Sequence, residues 1–168
     1  MRYHNITTSD MLNGDGLRVV LWLAGCDHHC PGCQNPITWD PGGGLIFDRM
    51  AEHELISKLY PKHISGITFS GGDPLNSANL TGVYYLCKLI RKIYPEKTIW
   101  LYTGYTWEEI MENRILREVI GLVDILVDGR FEKDKADVRY PWAGSTNQRV
   151  IDVQKSLRTE RVMLYASR

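Results

Sequence analysis

Three of the four cysteines, Cys26, Cys30 and Cys33, fall within eight residues, in the pattern C-x3-C-x2-C. Thiolates bind zinc and iron–sulfur clusters, and structural zinc sites close a tetrahedron with four protein ligands. Because only three cysteines converge here, the spacing favours a [4Fe–4S] cluster with one iron left open for a non-protein ligand. We therefore predict that these three cysteines are the metal ligands and catalytic residues.

The alternative for this motif is a structural zinc ion whose fourth ligand is His28, His29 or His53. The first two lie between two cysteines and would have to reach inward past them, which disfavours zinc. All the histidines are more simply interpreted as surface or loop residues without a catalytic role. The remaining cysteine, Cys87, falls on the apolar stripe of a predicted helix, where a buried and inert thiol is expected.

Composition narrows the class of protein. The chain has 168 residues, of which 43% are hydrophobic and 24% charged, values typical of one globular domain over residues 1–168. Lys and Arg balance Asp and Glu at 20 each, so there is no basic excess for nucleic acid. No apolar run reaches the roughly 18 residues of a membrane span, and no secretory signal is visible. These features predict a cytoplasmic protein, in which clustered thiols indicate metal binding or catalysis.

The order of predicted elements is strand, helix, strand, helix. Apolar runs bounded by turn residues predict strands over residues 17–24, 64–70, 98–103 and 122–127. Helical spacing of apolar residues, with cap and stop signals, predicts helices over residues 48–60, 80–94 and 106–119. Polar residues precede the first strand, and one or two short elements are expected in the tail, over residues 149–153 and 161–165.

This alternation predicts an α/β fold with a parallel sheet. A complete eight-fold barrel needs roughly 250 residues. We therefore expect an incomplete (β/α) barrel of about five or six parallel strands, with the helices outside and one side open.

The carboxyl ends of parallel strands meet at one rim, where active sites of such sheets lie. The cysteine loop, Gly71-Gly72-Asp73 and Asp128 are all expected there. Gly71 and Gly72 expose backbone groups that suit the charged head of a small ligand. Asp73 either pairs with an ammonium group or serves as a turn and cap residue. Asp128 either contacts a ribose or a partner loop, or forms a turn before a glycine.

These motifs together resemble the radical S-adenosylmethionine superfamily. More narrowly, the chain is similar to the activating proteins of anaerobic ribonucleoside-triphosphate reductase, which are glycyl-radical-enzyme activases. The similar segments are colinear and span most of the chain: residues 13–16, 25–35, 70–75, 100–105, 127–131 and 142–150.

The resemblance implies a [4Fe–4S] cluster on the three cysteines that chelates S-adenosylmethionine at the open iron. One electron from a flavodoxin-like donor then cleaves the sulfonium bond, giving methionine and a 5′-deoxyadenosyl radical. This radical removes a hydrogen atom from a glycine Cα in the large subunit of the anaerobic reductase. The protein supplies orientation and excludes water.

The same resemblance implies a set of cofactor-binding residues: Gly32, Cys33, Gln34, Gly71, Gly72 and Asp73. Most of the superfamily has an aromatic residue where this chain has Gly32, so the adenine is expected to be held by backbone. Gln34 stands where the subgroup often has tyrosine, so the resemblance implies a position near the cofactor for Gln34 but no aromatic role. The loop over residues 130–135 is the first candidate for contact with the partner.

Two other functions remain open at this stage. A radical enzyme of the same fold, such as a carboxy-deazaguanine synthase, would act on a small molecule. A non-catalytic zinc-binding interaction module would use the cysteines for structure alone.

Overall fold

The computed structural model describes residues 1–166, which form a mixed α/β architecture around a single seven-stranded sheet. The last two residues of the predicted domain, 167 and 168, lie outside the described residues. Seven strands follow in chain order: β1 (Arg2–Asp10), β2 (Leu17–Leu23), β3 (Leu45–Ile46), β4 (Ile64–Gly71), β5 (Thr98–Tyr102), β6 (Ile125–Asp128) and β7 (Arg149–Asp152).

The strands are arranged in the order β3-β1-β2-β4-β5-β6-β7, and the sheet does not close on itself. Neighbouring strands β2, β4, β5 and β6 run parallel, whereas β1, β3 and β7 pair in antiparallel fashion at the two sides. The prediction of about five or six parallel strands is therefore too high, because four strands run parallel. Strand β1 joins β2 through a short turn, whereas β3 and β7 follow long loops, residues 24–44 and 129–148, that contain no α-helix to carry the chain across the sheet.

Strand β1 occupies a segment that was predicted only as polar. Tyr3 and Ile6 of β1 are buried, while most of its other side chains are partly or fully exposed. Its pairing with β2 shifts register twice, so the alternation of apolar and polar residues is interrupted. A strand of this kind lacks the clean period-two pattern on which recognition depends.

Five helices complete the architecture: α1 (Arg49–Leu59), α2 (Leu80–Ile93), α3 (Trp107–Glu112), α4 (Arg114–Ile120) and α5 (Val153–Thr159). Two short 3-10 turns cover Pro36–Thr38 and Lys133–Lys135. Within residues 1–166, no helix combines the length and the apolar character that crossing a membrane requires. Helix α5 was not predicted, and the expected element over residues 161–165 reduces to one bridge between Ile151 and Leu164.

The helix starts follow the predicted capping signals. The Asp48 side chain accepts hydrogen bonds from two backbone N–H groups of the first turn of α1. Thr106 and Glu109 form the predicted capping box at the start of α3. The single helix expected over residues 106–119 is broken at Asn113. The side chain of Asn113 accepts hydrogen bonds from the backbone N–H groups of Ile115 and Leu116 in the first turn of α4. A local cap therefore divides one apolar stripe into two helices.

The two faces of the central strands have different surroundings. On β5, Ile99 and Leu101 point into the larger core, which also contains the buried face of α2. Trp100 and Tyr102 point to the opposite face, where they join a smaller cluster with Val127 and other residues of β6 and β7. Alternation along the strand thus separates the core from the open side of the sheet.

Candidate iron–sulfur site

The cysteine loop begins where β2 ends, at the carboxyl edge of the parallel strands. Its first residues are held by the segment that follows the motif: Gly25 N–H donates to Thr38 O at 2.7 Å, and Cys26 N–H donates to Trp39 O at 3.0 Å. Gly25 adopts a φ of +103°, a conformation that L side chains rarely reach. The loop therefore leaves the sheet, turns and returns within a fixed frame.

The three motif cysteines differ from the fourth cysteine in exposure. Cys26, Cys30 and Cys33 are free thiols that are each partly accessible to solvent. Burial raises the pKa of Cys26, and the Asp73 carboxylate adds to this increase. Cys87 is fully buried on α2, and burial raises its pKa to about 12. Cys87 is thus buried as predicted, and the assignment of the three partly exposed cysteines as metal ligands stays a prediction.

The donor chemistry of the loop suits a cluster. Within residues 1–166, no three His, Cys, Asp or Glu side chains are grouped as ligands of one metal ion. A cubane cluster does not need that grouping, because each cysteine binds a different iron atom. Three free thiols with no disulfide among them provide the ligand type that an iron–sulfur cluster requires.

Gly71 and Gly72 bring the end of β4 against the start of the cysteine loop. The N–H of Gly72 donates to Leu23 O, and that of Asp73 donates to Gly25 O, both at 2.8 Å. A Cβ atom added at Gly72 would lie 2.6 Å from Gly25 O, and Gly71 has a φ of +93°. Glycine is thus required here for backbone contact. That these glycines also hold a ligand stays a prediction.

Two asparagines that were not predicted join the same two loops. Asn79 is fully buried, and its side-chain N–H groups donate to Ala24 O and Asp73 O at 2.9 Å each. Asn76 donates to the Asp27 carboxylate at 2.8 Å. Both asparagines follow a proline at the start of α2, where capping is the ordinary expectation, so their long-range role has no signal in the sequence.

Asp73 is a buried acceptor for several donors. Its carboxylate accepts Leu75 N–H at 2.8 Å, the Thr103 hydroxyl at 2.9 Å and Gly104 N–H at 3.0 Å. The same carboxylate lies 2.7 Å from His28 Nε2, and the side chain of His28 is only 8% exposed. His28 is a loop residue, as predicted, but its side chain is turned inward and does not lie at the surface. The bond to Leu75 N–H fits the turn role of Asp73, and its pairing with an ammonium group stays a prediction.

Comparison with known proteins adds a family to this geometry. The family described as a 4Fe-4S single cluster domain matches residues 12–151. An anaerobic ribonucleoside-triphosphate reductase-activating protein from Pasteurella multocida is 38% identical over 150 residues, which cover 88% of this chain and 95% of that protein. The proteins of the same name from Escherichia coli K12 and from Enterobacteria phage T4 are each 40% identical over 150 residues. They align with 88% and 89% of this chain, and with 96% and 93% of their own lengths.

The chain belongs to the anaerobic ribonucleoside-triphosphate reductase-activating protein family. This membership confirms the resemblance drawn from the motifs.

In this family member, the segment after β6 reaches the tip of the cysteine loop. Gly32 has a φ of +75°, and a Cβ atom added there would lie 3.1 Å from Cδ of Lys133. The aliphatic part of Lys133 thus covers the position from which an aromatic side chain would project. Gln34 is exposed. The roles of Gly32 and Gln34 in binding a cofactor stay predictions.

Asp128 has a different environment from Asp73 on the same rim. Its side chain is 1% exposed and forms a bidentate ion pair with the guanidinium of Arg149. The same carboxylate accepts a hydrogen bond from the backbone N–H of Trp107. Arg149 also pairs with Glu108 at 2.7 Å, and the two carboxylates raise the pKa of its guanidinium. The carboxylate of Asp128 is thus engaged in a salt bridge that links β6, β7 and α3.

Proposed function

We propose that this chain uses a [4Fe–4S] cluster to cleave S-adenosylmethionine reductively and to generate a glycyl radical on anaerobic ribonucleoside-triphosphate reductase. It would thus act as a radical S-adenosylmethionine oxidoreductase. The observation that carries this proposal is the site itself: three accessible thiols on a loop anchored to the Gly71-Gly72-Asp73 turn. Family membership supports the same activity, because the relatives are named for activation of this reductase.

Cys26, Cys30 and Cys33 would hold the cluster. The cluster, once bound with S-adenosylmethionine at its open iron, supplies the radical chemistry, in which the sulfonium bond is broken by one electron. The residues of the chain present the thiolates, hold the loop and limit access of water. Gly32, Gln34, Gly71, Gly72 and Asp73 are the proposed contacts of S-adenosylmethionine.

The open sheet supports the proposed protein substrate. Four parallel strands flanked by antiparallel ones leave the sheet unclosed, which fits an incomplete barrel of the radical S-adenosylmethionine type. A glycine in the backbone of the large reductase subunit needs a wide entrance, and the partner would then cover it. The segment that packs on Gly32 is a candidate for this contact, and Val138, further along the same loop, is fully exposed.

Two further elements of the proposal concern the setting of the reaction. The single electron would come from a flavodoxin-like donor. The expected location is the cytoplasm, where thiols stay reduced and an oxygen-labile cluster persists under anaerobic conditions.

The test is anaerobic reconstitution followed by three measurements on the same sample. We expect four iron atoms per chain, methionine and 5′-deoxyadenosine on chemical reduction with S-adenosylmethionine, and a glycyl doublet by electron paramagnetic resonance once the anaerobic reductase is added. The matched control is the triple variant Cys26→Ala, Cys30→Ala and Cys33→Ala, which should show none of the three.

Each failure has a distinct meaning. A colourless protein that binds one zinc ion and no iron would exclude the cluster. Cleavage of S-adenosylmethionine without a glycyl radical, together with turnover of a small molecule, would exclude the activase function and favour the small-molecule alternative.

A further inference from the structure

His28 lies between two of the proposed cluster ligands, yet its side chain points away from solvent. Its Nε2 atom is 2.7 Å from the Asp73 carboxylate, and its ring packs edge-on against Tyr105 with centroids 4.8 Å apart. Its neighbour His29 is exposed, although its ring also packs edge-on against an aromatic side chain, that of Trp39, with centroids 4.8 Å apart. The two adjacent histidines therefore differ in exposure and in side-chain hydrogen bonding.

The direction of the hydrogen bond at Asp73 follows from its other partners. Leu75 N–H and Gly104 N–H both donate to this carboxylate. The Thr103 hydroxyl, which accepts Tyr105 N–H, uses its own hydrogen for Asp73. A carboxylate surrounded by donors has only acceptor capacity to offer, so His28 Nε2–H donates to it.

The backbone of His28 is directed at the first cysteine. Hydrogen bonding from the backbone of His28, and to a smaller extent from that of His29, lowers the pKa of the Cys26 thiol against the effect of burial. Hydrogen bonds to ligating sulfurs are among the factors that set the reduction potential of an iron–sulfur cluster. Anchoring the His28 side chain thus also holds the N–H group that faces the Cys26 sulfur.

We propose that His28 is a positioning residue for the cluster: its bond to Asp73 fixes the segment between Cys26 and Cys30 and aims the backbone N–H at the Cys26 sulfur. This inference rests on the proposed cluster. Neighbours that orient metal ligands typically change affinity by 10–100-fold when they are removed. His28 is expected to act in this way through the loop backbone, with no contact to iron.

The test compares three variants of the full chain after anaerobic reconstitution. His28→Phe keeps a ring against Tyr105 but removes the donor, whereas His28→Gln keeps an N–H donor of similar reach. His29→Asn is the matched control, because it changes the neighbouring side chain and tolerates the positive φ of +46° found there. The measurements are the rate of iron release to a chelator and the reduction potential of the cluster.

We expect His28→Phe to release iron about ten-fold faster than the unmodified chain. Its reduction potential should be more negative, because the reduced cluster loses a hydrogen bond to sulfur. His28→Gln and His29→Asn should stay within about two-fold of the unmodified rate, far short of the expected change. The proposal is wrong if His28→Phe matches the unmodified chain in both measurements, or if His28→Gln releases iron as fast as His28→Phe.

A second measurement applies if no version of the chain retains iron, which would be a failure of the proposed function. Hydrogen exchange of the backbone amides over residues 26–30 in the metal-free chain measures how firmly the hydrogen bond between His28 and Asp73 holds this segment. Exchange should be slow in the unmodified chain and in His28→Gln, and about ten-fold faster in His28→Phe. Equal exchange rates in all three proteins would overturn the role of His28.

Discussion

Asp73 and Asp128 are both buried at the carboxyl edge of the parallel strands, but they are satisfied in different ways. Asp73 is 4% exposed and accepts hydrogen bonds from a histidine, a hydroxyl and backbone N–H groups. Asp128 is 1% exposed and is paired with the guanidinium of Arg149. The first carboxylate holds the cysteine loop, and the second joins secondary-structure elements.

The two aspartates therefore have different roles at the same edge of the sheet: Asp73 shapes the proposed cluster site, and Asp128 stabilises the fold. A carboxylate bonded to four residues from three segments can fix the shape of a loop without placing a permanent cation beside the thiolates. A carboxylate paired with arginine stabilises the folded state as long as both partners remain. Changes near Asp73 should therefore affect the cluster, whereas changes near Asp128 should affect unfolding.

The largest expected effect is the loss of the proposed cluster ligands on the loop that Asp73 holds. Cys26→Ala, Cys30→Ala and Cys33→Ala should each abolish iron retention and S-adenosylmethionine cleavage, because each removes one of only three thiolates. Cys87→Ala should leave both intact and cost about 1 kcal/mol of stability through a small cavity. Iron content and visible absorbance measure the outcome. Loss of absorbance in a folded Cys87→Ala protein would contradict the division into three ligands and one structural thiol.

The next effect concerns the ion pair at Asp128. Arg149→Met leaves the buried Asp128 carboxylate with one backbone donor. The free energy of unfolding should fall by about 2–3 kcal/mol, which is less than for a fully buried ion pair because a third of the Arg149 side chain is exposed. Chemical denaturation measures this change, and iron binding should be unaffected.

The matched control for this ion pair is Arg139→Met, which breaks an exposed pair with Asp137. It should leave the unfolding midpoint unchanged. If Arg149→Met reduced iron binding without changing stability, the proposed separation of the two regions would be wrong.

A smaller effect is expected where the two loops touch. Gly72→Ala places a Cβ atom 2.6 Å from Gly25 O, so the backbone must shift. We expect a loss of about 1–2 kcal/mol of stability, together with faster iron release. Gly121→Ala is the control, because its added Cβ would meet no atom closer than 3.4 Å. Similar behaviour of the two variants in denaturation and chelator assays would exclude the close contact as a requirement.

The smallest effect is a pH dependence at the outer edge of the Asp128 region. The hydrogen bond from Arg149 lowers the pKa of Glu108 below its ordinary value of 4.5. A carboxyl whose pKa is lower in the folded than in the unfolded protein stabilises the fold fully at pH values above its unfolded pKa. This contribution is lost as the pH falls through the folded pKa. Because Glu108 is largely exposed, the contribution should be below about 1 kcal/mol. Thermal melting of Glu108→Gln from pH 7 to pH 3 should show a slightly flatter acid dependence, and an unchanged slope would contradict this interaction.

Much of the fold was predictable where one local pattern dominates. The buried runs of β2, β4 and β5, and the apolar stripes of α1 and α2, are predicted within a few residues of their observed bounds. Strand β1 and the break at Asn113 were not, since irregular pairing and a side-chain cap override the periodic signal.

For the site, the residue types and their spacing were sufficient to separate three cysteines on one loop from one buried thiol, and the binding of a cluster by those three stays a prediction. They were also sufficient to place the cysteine loop and the Gly71-Gly72-Asp73 turn at the same edge of the sheet, because parallel strands end together.

Only the tertiary structure decided how these two loops are joined. The contacts of Asn76, Asn79 and His28 with the opposite loop span about 45–55 positions of sequence, and no local pattern encodes such distances. Tertiary packing also gave Asp73 and Asp128 different partners, although both stand at the carboxyl end of a strand and look alike in sequence. The physical reason is that a buried carboxylate must be satisfied, and its donors come from segments that only folding brings together.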